Sequence, residues 1–180
     1  MSKIEFKLII ENPELVSSTV FELAQTLPDN LQPLVAEIDP KYMGGKELCE
    51  HYELDPSEGA NCVIVESVKP ESTEFVAIVI PVGYRADLNG LVRKHLNAKR
   101  ISLAPLEKAL EDTGMEYGSI TPFGLPPSWK ILIDKKLTIK EKIIRSEEKL
   151  KSYIKAICNK EDLHDLLYRL YIFSVKDKKK

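Results

Sequence analysis

The chain has 180 residues, which is enough for one domain with a substantial core or for two small ones. Hydrophobic residues make up 43% and charged residues 30%, a composition that excludes a disordered chain and is typical of a soluble folded protein. The formal charge of -2 excludes a uniformly basic nucleic-acid-binding protein, although residues 1–90 carry 6 basic and 16 acidic side chains and residues 91–180 carry 20 and 12.

The first third of the chain predicts short strands and helices in alternation. Apolar and polar residues alternate over 4–8, which predicts a half-buried strand. Helical spacing of the apolar residues over 12–27, with proline in the first turn, predicts a helix. A second strand is expected at 34–38, a short helix at 44–49 and a turn at 55–57.

The centre of the chain predicts a hairpin followed by a helix. β-rich runs at 63–65 and 75–82 flank a polar turn at 69–72. Asp87 is a good N-cap for the helix that follows. The apolar face of this helix is expected to hold Leu88, Leu91, Val92 and Leu96. His95 is spaced with that face and is expected to pack.

The second half continues the alternation of strands and helices. A short strand is predicted at 101–103 and a helix at 104–114. Residues 117–127 are too rich in glycine and proline for regular structure and predict a shaped loop. A strand at 131–133 leaves this loop and ends at Asp134.

The last segment is less regular in its pattern. Residues 140–157 fit a helix, or two strands joined by a turn. A final helix begins at Asn159, and a closing strand covers 171–175. Because strands and helices are interleaved without a repeat or linker, we predict a single domain over residues 1–180. Its class is α/β, of the α+β type, with a mixed central β-sheet flanked by helices.

The sequence also bears on the compartment. The longest apolar run, residues 75–82, is far too short to cross a bilayer, and residues 1–5 lack the features of a signal peptide. Cys49, Cys62 and Cys158 are odd in number and widely spaced, which does not predict a disulfide framework. We therefore expect a cytoplasmic protein that does not bind membranes. No metal site is expected, since the Cys and His spacings match no common metal motif.

The loop at 117–127 contains residue types that suit a small binding pocket. Glycines allow a ligand to approach the main chain, prolines stiffen the loop, hydroxyls can donate hydrogen bonds and a phenyl ring can form an apolar wall. The candidate substrate-binding residues here are Gly118, Ser119, Thr121, Pro122, Phe123 and Gly124. The same residues also fit a tight turn that only connects two elements.

Four segments carry a resemblance to a known family: RADL at 85–88, NAKRISLA at 97–104, GSITPFG at 118–124 and ILID at 131–134. In order and spacing they resemble RLDL, LGAKRVSLA, GG(V/I)SPFG and vlvD of the YbaK/ProX family. These are aminoacyl-tRNA deacylases related to the editing domain of bacterial prolyl-tRNA synthetases. Residues 163–175 resemble the closing helix and strand of the family. The resemblance covers about 44–175 and is strongest over 84–134.

The resemblance implies an activity and a site. Family members hydrolyse the ester that joins a wrong amino acid to the 3′ end of a tRNA, which implies a trans-editing deacylase without a metal or organic cofactor. Asn61 occupies the position of the family lysine, and Gly118 that of the glycine that helps to place the aminoacyl carbonyl. Thr121 replaces the usual serine, and Asp134 is expected to support the pocket. The resemblance also favours strands over 141–146 and 151–157.

The replacement of the family lysine leaves a second function open. Asn61 can donate and accept hydrogen bonds, but it carries no charge. The alternative is a catalytically impaired module that recognises aminoacyl-adenosine or the tRNA 3′ end without hydrolysing it.

Basic side chains are the candidates for contacts with tRNA. The net charges of the two halves, -10 and +8, point to a polyanionic partner for the second half. The candidates are Arg85, Arg93, Lys94, Lys99, Arg100, Lys135 and Lys136. If they border the pocket, they would hold the phosphates of the acceptor end, and an aminoacyl-tRNA synthetase is a second expected partner. A solvated lysine-rich surface is the alternative interpretation.

Overall fold

The computed structural model describes residues 4–29, 32–138 and 172–175. Seven strands and five α-helices are found in this part of the chain. In chain order they are β1 (Lys7–Leu8), α1 (Ser18–Gln25), β2 (Leu34–Ile38), α2 (Gly45–Tyr52), β3 (Ala60–Val68), β4 (Thr73–Pro81), α3 (Arg93–His95), β5 (Arg100–Leu103), α4 (Leu106–Thr113), β6 (Lys130–Ile133), α5 (Lys135–Thr138) and β7 (Ile172–Val175).

The strands form two mixed sheets. The first has the order β1-β2-β7, in which β2 is antiparallel to β1 and parallel to β7. The second has the order β5-β3-β4-β6, in which β3 is antiparallel to both neighbours and β4 is parallel to β6. The predicted fold class, α/β of the α+β type with a mixed sheet flanked by helices, is therefore confirmed.

The predicted hairpin forms the middle of the four-stranded sheet. β3 and β4 pair over nine residues each, from Ala60 opposite Pro81 to Val68 opposite Thr73. The turn is closed by the amide of Lys69, which donates to the carbonyl of Ser72 at 2.8 Å.

Helical segments pack on both faces of this sheet. On one face, buried Val65 and Val76 pack against Val92 and Leu96 of the segment around α3. On the other face, Ile64 packs near Ala109 of α4 and Trp129. Because both faces are covered, the strands β3 and β4 show nearly continuous apolar runs.

The helix after Asp87 differs from the prediction. Asp87 caps it as expected, accepting from the amides of Gly90 at 2.9 Å and Leu91 at 3.0 Å. However, residues 88–92 form a π-turn before α3 begins. A π-turn takes one residue more than an α-turn, so it changes which side chains face the sheet. Leu91 is therefore 72% exposed and His95 is exposed too, which contradicts the expected packing of both.

One other boundary differs, near the start of the chain. The first helix begins at Ser18, because Pro13–Leu15 forms a separate 3₁₀ turn. The predicted closing strand is confirmed as β7, which pairs with β2. The strands expected over 141–146 and 151–157 and the helix from Asn159 lie outside the described residues. No helix in the described part is long and apolar enough to span a membrane.

Candidate functional site

A cleft of about 680 Å³ opens beside the first residues of β3. Its floor is formed by residues 60–64 of β3 and by Val79 of β4. The segment 43–49, which includes the start of α2, lines one part of the cleft. Residues 117–122 of the predicted loop line another part. The cleft is therefore the place where the loop and the start of β3 meet.

Asn61 lies in the cleft floor, opposite Ile80 in the sheet. Its side chain faces the backbone of Gly45, where an added Cβ would lie 2.6 Å from Oδ1 and 3.2 Å from Nδ2 of Asn61. Gly45 therefore leaves room for the amide only because it lacks a side chain. No described residue makes a hydrogen bond with this amide, so it is available to a ligand.

Gly118 has a backbone conformation that favours glycine. Its φ is +83°, in the left-handed region. A Cβ at this position would collide with the side chain of Met43, lying 3.0 Å from its Cγ and 3.2 Å from its Cβ. Both the dihedral angle and the contact with Met43 explain why a glycine stands here.

The hydrogen bonds of the loop leave three backbone donors of cleft-lining residues without an acceptor. The amide of Ser119 donates to the carbonyl of Glu116 at 3.1 Å, and the amide of Thr121 lies 3.4 Å from Sδ of Met115. Among the described residues, no acceptor is found for the amides of Tyr117, Gly118 and Ile120. All three residues line the cleft, so a carbonyl or carboxylate bound there can use these N–H groups.

The two hydroxyls of the loop are partly engaged. Oγ of Ser119 donates to the carbonyl of Glu116 at 3.1 Å. Oγ1 of Thr121 accepts from the amide of Phe123 at 3.3 Å, which leaves its own proton for another acceptor. Both residues line the cleft, as does the buried Pro122.

Three of the expected pocket residues do not line the cleft. Phe123 is 1% exposed and packs in the core with Ile9 and Val20, so its ring is not a wall of the pocket. Gly124 has φ +77° and approaches the backbone of α1 at Val20, where a Cβ would lie 2.8 Å from the amide nitrogen. Asp134 caps α5 instead, accepting from the amide of Lys136 at 2.8 Å.

The basic candidates lie at two different ends of the four-stranded sheet. Arg100 pairs with Val68 next to the hairpin turn, and the amide of Lys99 donates to the carbonyl of Val68 at 2.8 Å. Val68 is seven residues from Asn61, a distance of about 23 Å along a strand. At the opposite end Nζ of Lys136 lies 3.9 Å from the ring centroid of Tyr84, just beyond β4.

Arg85 follows Tyr84 in the chain and is exposed. Arg93 and Lys94 are exposed on α3, which leads from the capping residue Asp87 towards β5. Lys135 begins α5, directly after β6. The structure thus separates the basic candidates into a group at the Asn61 end (Arg85, Lys135 and Lys136) and a group towards the hairpin turn (Arg93, Lys94, Lys99 and Arg100).

The cysteines of the cleft are not activated nucleophiles. Burial raises the pKa of the Cys62 thiol from its ordinary 9.0 to about 12. The pKa of Cys49 is also raised, first by burial and then by the negative charges of Asp55 and Glu50. Both thiols are therefore protonated at neutral pH. Within the described residues, no group of His, Cys, Asp and Glu could hold a metal ion.

Several cleft residues could not be identified from the sequence. Gly44-Gly45 only indicated the start of a helix, and Asp55 only a turn, yet both segments line the cleft. Leu103, Leu106 and Tyr117 also line it while remaining 65%, 48% and 61% exposed. Exposed apolar side chains around a cleft are a signal of ligand binding that is visible only once the fold is known.

Comparison with protein families identifies the chain. Residues 40–149 match the model of the aminoacyl-tRNA editing domain. The chain belongs to this family. The matched segment contains β3 and the loop that line the cleft, and it confirms the resemblance that the sequence motifs indicated.

Other comparisons add less. The chain is similar to the crystal structure of the hypothetical protein APE2540, with a sequence identity of 23% and a TM-score of 0.48. The match covers 55% of this chain and 63% of that one, so it spans less than two thirds of the solved protein. No curated protein matches the chain significantly.

Proposed function

We propose that this editing domain is a trans-editing deacylase, which hydrolyses the ester of a mischarged tRNA. The observation that carries the proposal is that one cleft brings together Asn61, Gly118, Ser119 and Thr121, within the segment that matches the family. The three loop residues follow Asn61 by 57 or more positions in the chain, and only the fold makes them its neighbours. A second sieve of this kind is needed because a synthetase pocket separates side chains that differ by one methylene by only about 1–3 kcal/mol.

The reaction needs a placed carbonyl and an activated water. Water adds to the ester carbonyl carbon, the bond from that carbon to the ribose oxygen breaks, and the ribose hydroxyl leaves with a proton. Negative charge develops on the carbonyl oxygen, and donors placed in advance lower the barrier. The N–H groups of Gly118 and Ile120 and the amide of Asn61 are among the donors available for that oxygen.

The described residues of the cleft include no lysine and no histidine. The cysteine thiols, with their raised pKa, are poor bases and poor nucleophiles at neutral pH. The resemblance implies that a ribose hydroxyl of the tRNA assists the water. The protein then contributes mainly orientation, which is a large part of catalysis when the reacting atoms are held in line.

We place the acceptor end of the tRNA at the Asn61 end of the sheet. Lys136 and Arg85 lie there, whereas Lys99 and Arg100 lie about 23 Å away along β3. A terminal nucleotide that reaches the cleft has its neighbouring phosphates near the first group. A synthetase that charges the same tRNA is a further expected partner.

A deacylation assay on a panel of mischarged tRNAs tests the proposal. Wild type should hydrolyse at least one substrate, and Gly118→Val should abolish the hydrolysis. Asn61→Lys restores the family residue and should increase the rate. Asn89→Lys is the matched control, because Asn89 is exposed outside the cleft and the substitution adds the same charge.

A non-catalytic binding module is the second candidate, and the uncharged Asn61 favours it. If wild type hydrolyses no substrate but Asn61→Lys does, the deacylase proposal is wrong and the binding module is supported. If tRNA binding is also undetectable at low salt, both proposals are wrong.

A further inference from the structure

The mouth of the cleft carries exposed apolar side chains, whereas its floor is buried. Six large apolar side chains are exposed in the described part of the chain, and three of them line the cleft. These three are Leu103 at the end of β5, Leu106 at the start of α4 and Tyr117 in the loop. By contrast, Ile64 and Val79 of the floor are 7% and 1% exposed. Apolar side chains that stay exposed around a cleft mark a surface for a ligand.

Tyr117 is the aromatic member of this group, and 61% of its surface is exposed. Among the described residues, none makes a ring contact or a side-chain hydrogen bond with it. The exposed Tyr84 differs, because Nζ of Lys136 lies over its ring at 3.9 Å from the centroid. An exposed ring without such a neighbour offers a π-face to a planar group of a ligand.

The neighbours of Tyr117 in the chain fix the place of this ring relative to a bound ester. The amides of Tyr117, Gly118 and Ile120 have no acceptor among the described residues, so they can donate to the ester carbonyl. The Cα atoms of Tyr117 and Gly118 are about 3.8 Å apart, since the peptide bond between them is trans. A carbonyl bound by these amides therefore lies within reach of the side chain of Tyr117.

The shape of the substrate places a base at the same point. In an aminoacyl-tRNA the ester is attached to the ribose of the terminal adenosine, which also carries the adenine base. When the acyl group occupies the buried floor, the ribose and the base lie towards the mouth. The described lining of the cleft includes no lysine, arginine or histidine, so the phosphates lie outside it. The faces of the base suit an aromatic side chain.

We propose that Tyr117 is the stacking platform for the adenine base of the terminal nucleotide. The inference rests on the proposed function for the identity of the ligand. It adds a substrate-positioning residue that the sequence motifs do not indicate. Stacking at this point holds the ribose, and thereby the ester, against the amides of the loop. Leu103 and Leu106 are the other candidates for the contact, but they are aliphatic and lie on a different segment from those amides.

Binding of stable analogues that differ only in the base tests the inference separately from catalysis. The probes are 3′-alanylamino-3′-deoxyadenosine, its uridine counterpart and a counterpart with a methoxy group in place of the base, and an amide replaces the ester in all three. By calorimetry, wild type should bind the adenosine compound at least about fivefold more tightly than the methoxy compound, the lower end for a base stacked on an aromatic residue. The uridine compound should lie between them, because its ring is smaller.

Tyr117→Ala removes the ring and should reduce the preference for the adenosine compound over the methoxy compound to nearly one. Tyr117→Phe keeps the ring and should keep the preference. Leu91→Ala is the matched control, because Leu91 is 72% exposed and does not line the cleft, and it should keep the preference too. The midpoint of urea unfolding should be nearly unchanged in all three variants, since the substituted side chains are exposed.

Five results would overturn the inference: no binding of the adenosine compound, equal binding of the adenosine and methoxy compounds by wild type, an unchanged preference in Tyr117→Ala, the same loss of preference in Leu91→Ala, or a large loss of stability in Tyr117→Ala, which would show that the ring is packed. If Tyr117→Ala keeps the preference and Leu106→Ala loses it, the base lies on the other wall of the mouth.

Hydrolysis of mischarged tRNA, measured in parallel, distinguishes the two proposals. Binding that depends on the base and on Tyr117, without hydrolysis, supports the inference and rejects the deacylase. Hydrolysis with no base preference supports the deacylase and rejects the inference.

Discussion

Replacing Gly118 by alanine should destabilise the protein through two separable effects. The first is backbone strain, since a residue with a Cβ at φ +83° costs roughly 1 kcal/mol or somewhat more relative to glycine. The second is the contact with Met43, whose Cβ and Cγ would lie only 3.2 and 3.0 Å from the new methyl group. Displacing a packed side chain in this way costs about 1–3 kcal/mol.

Gly83 offers a matched control for the first effect. Its φ is +84°, and an added Cβ would meet nothing within 4 Å. Gly83→Ala should therefore lower the free energy of unfolding by roughly 1 kcal/mol, and Gly118→Ala by about 2–4 kcal/mol. The measurement is urea denaturation followed by circular dichroism.

Met43→Ala combined with Gly118→Ala separates the two effects further. The loss caused by Gly118→Ala in the Met43→Ala background should fall towards the value for Gly83→Ala, because only the strain and the 3.2 Å contact with the remaining Cβ at position 43 are left. Equal losses for Gly118→Ala and Gly83→Ala in the wild-type background would refute the argument that the loop is held against Met43.

Two further predictions concern the cleft and the surface beside it. Alkylation of Cys62 by iodoacetamide at pH 8, measured by mass spectrometry of its peptide, should be about a thousandfold slower than that of an ordinary cysteine. The reason is that a pKa of about 12 instead of 9.0 keeps the Cys62 thiol protonated at this pH. Fast labelling at pH 8 would contradict the raised pKa. Lys136→Ala should reduce the slope of log affinity for tRNA against log salt concentration by about one, while Lys99→Ala should leave it unchanged; the opposite pattern would place the acceptor end near the hairpin turn.

The sequence predicts the elements whose signals are local. The β3–β4 hairpin has two β-rich runs and a polar turn, and the helix after Asp87 has its cap. The exposure of Leu91 was not predictable, because nothing in a helical spacing indicates a π-turn. The bounds of such elements depend on packing from distant parts of the chain.

The candidate site is predicted only in part. Asn61 and Gly118 were found through family motifs and both line the cleft. Phenylalanine is a residue type that often forms the wall of a pocket, but the ring of Phe123 packs in the core beside Ile9. Gly45 was missed because its place beside Asn61 arises from a contact between two segments, and such a contact leaves no pattern in a single sequence.

The pairing of β2 with β7 has a consequence for the order of folding. It joins an early strand to one near the end of the described chain, whereas the hairpin joins neighbouring segments. Closing a long loop costs more conformational entropy than closing a short one, and sheets that pair distant segments form slowly. Ile38, the last residue of β2, lines the cleft. We therefore expect that this wall of the cleft is completed late in folding, and that a nascent chain still lacking β7 has the loop at 117–122 before it has a complete pocket.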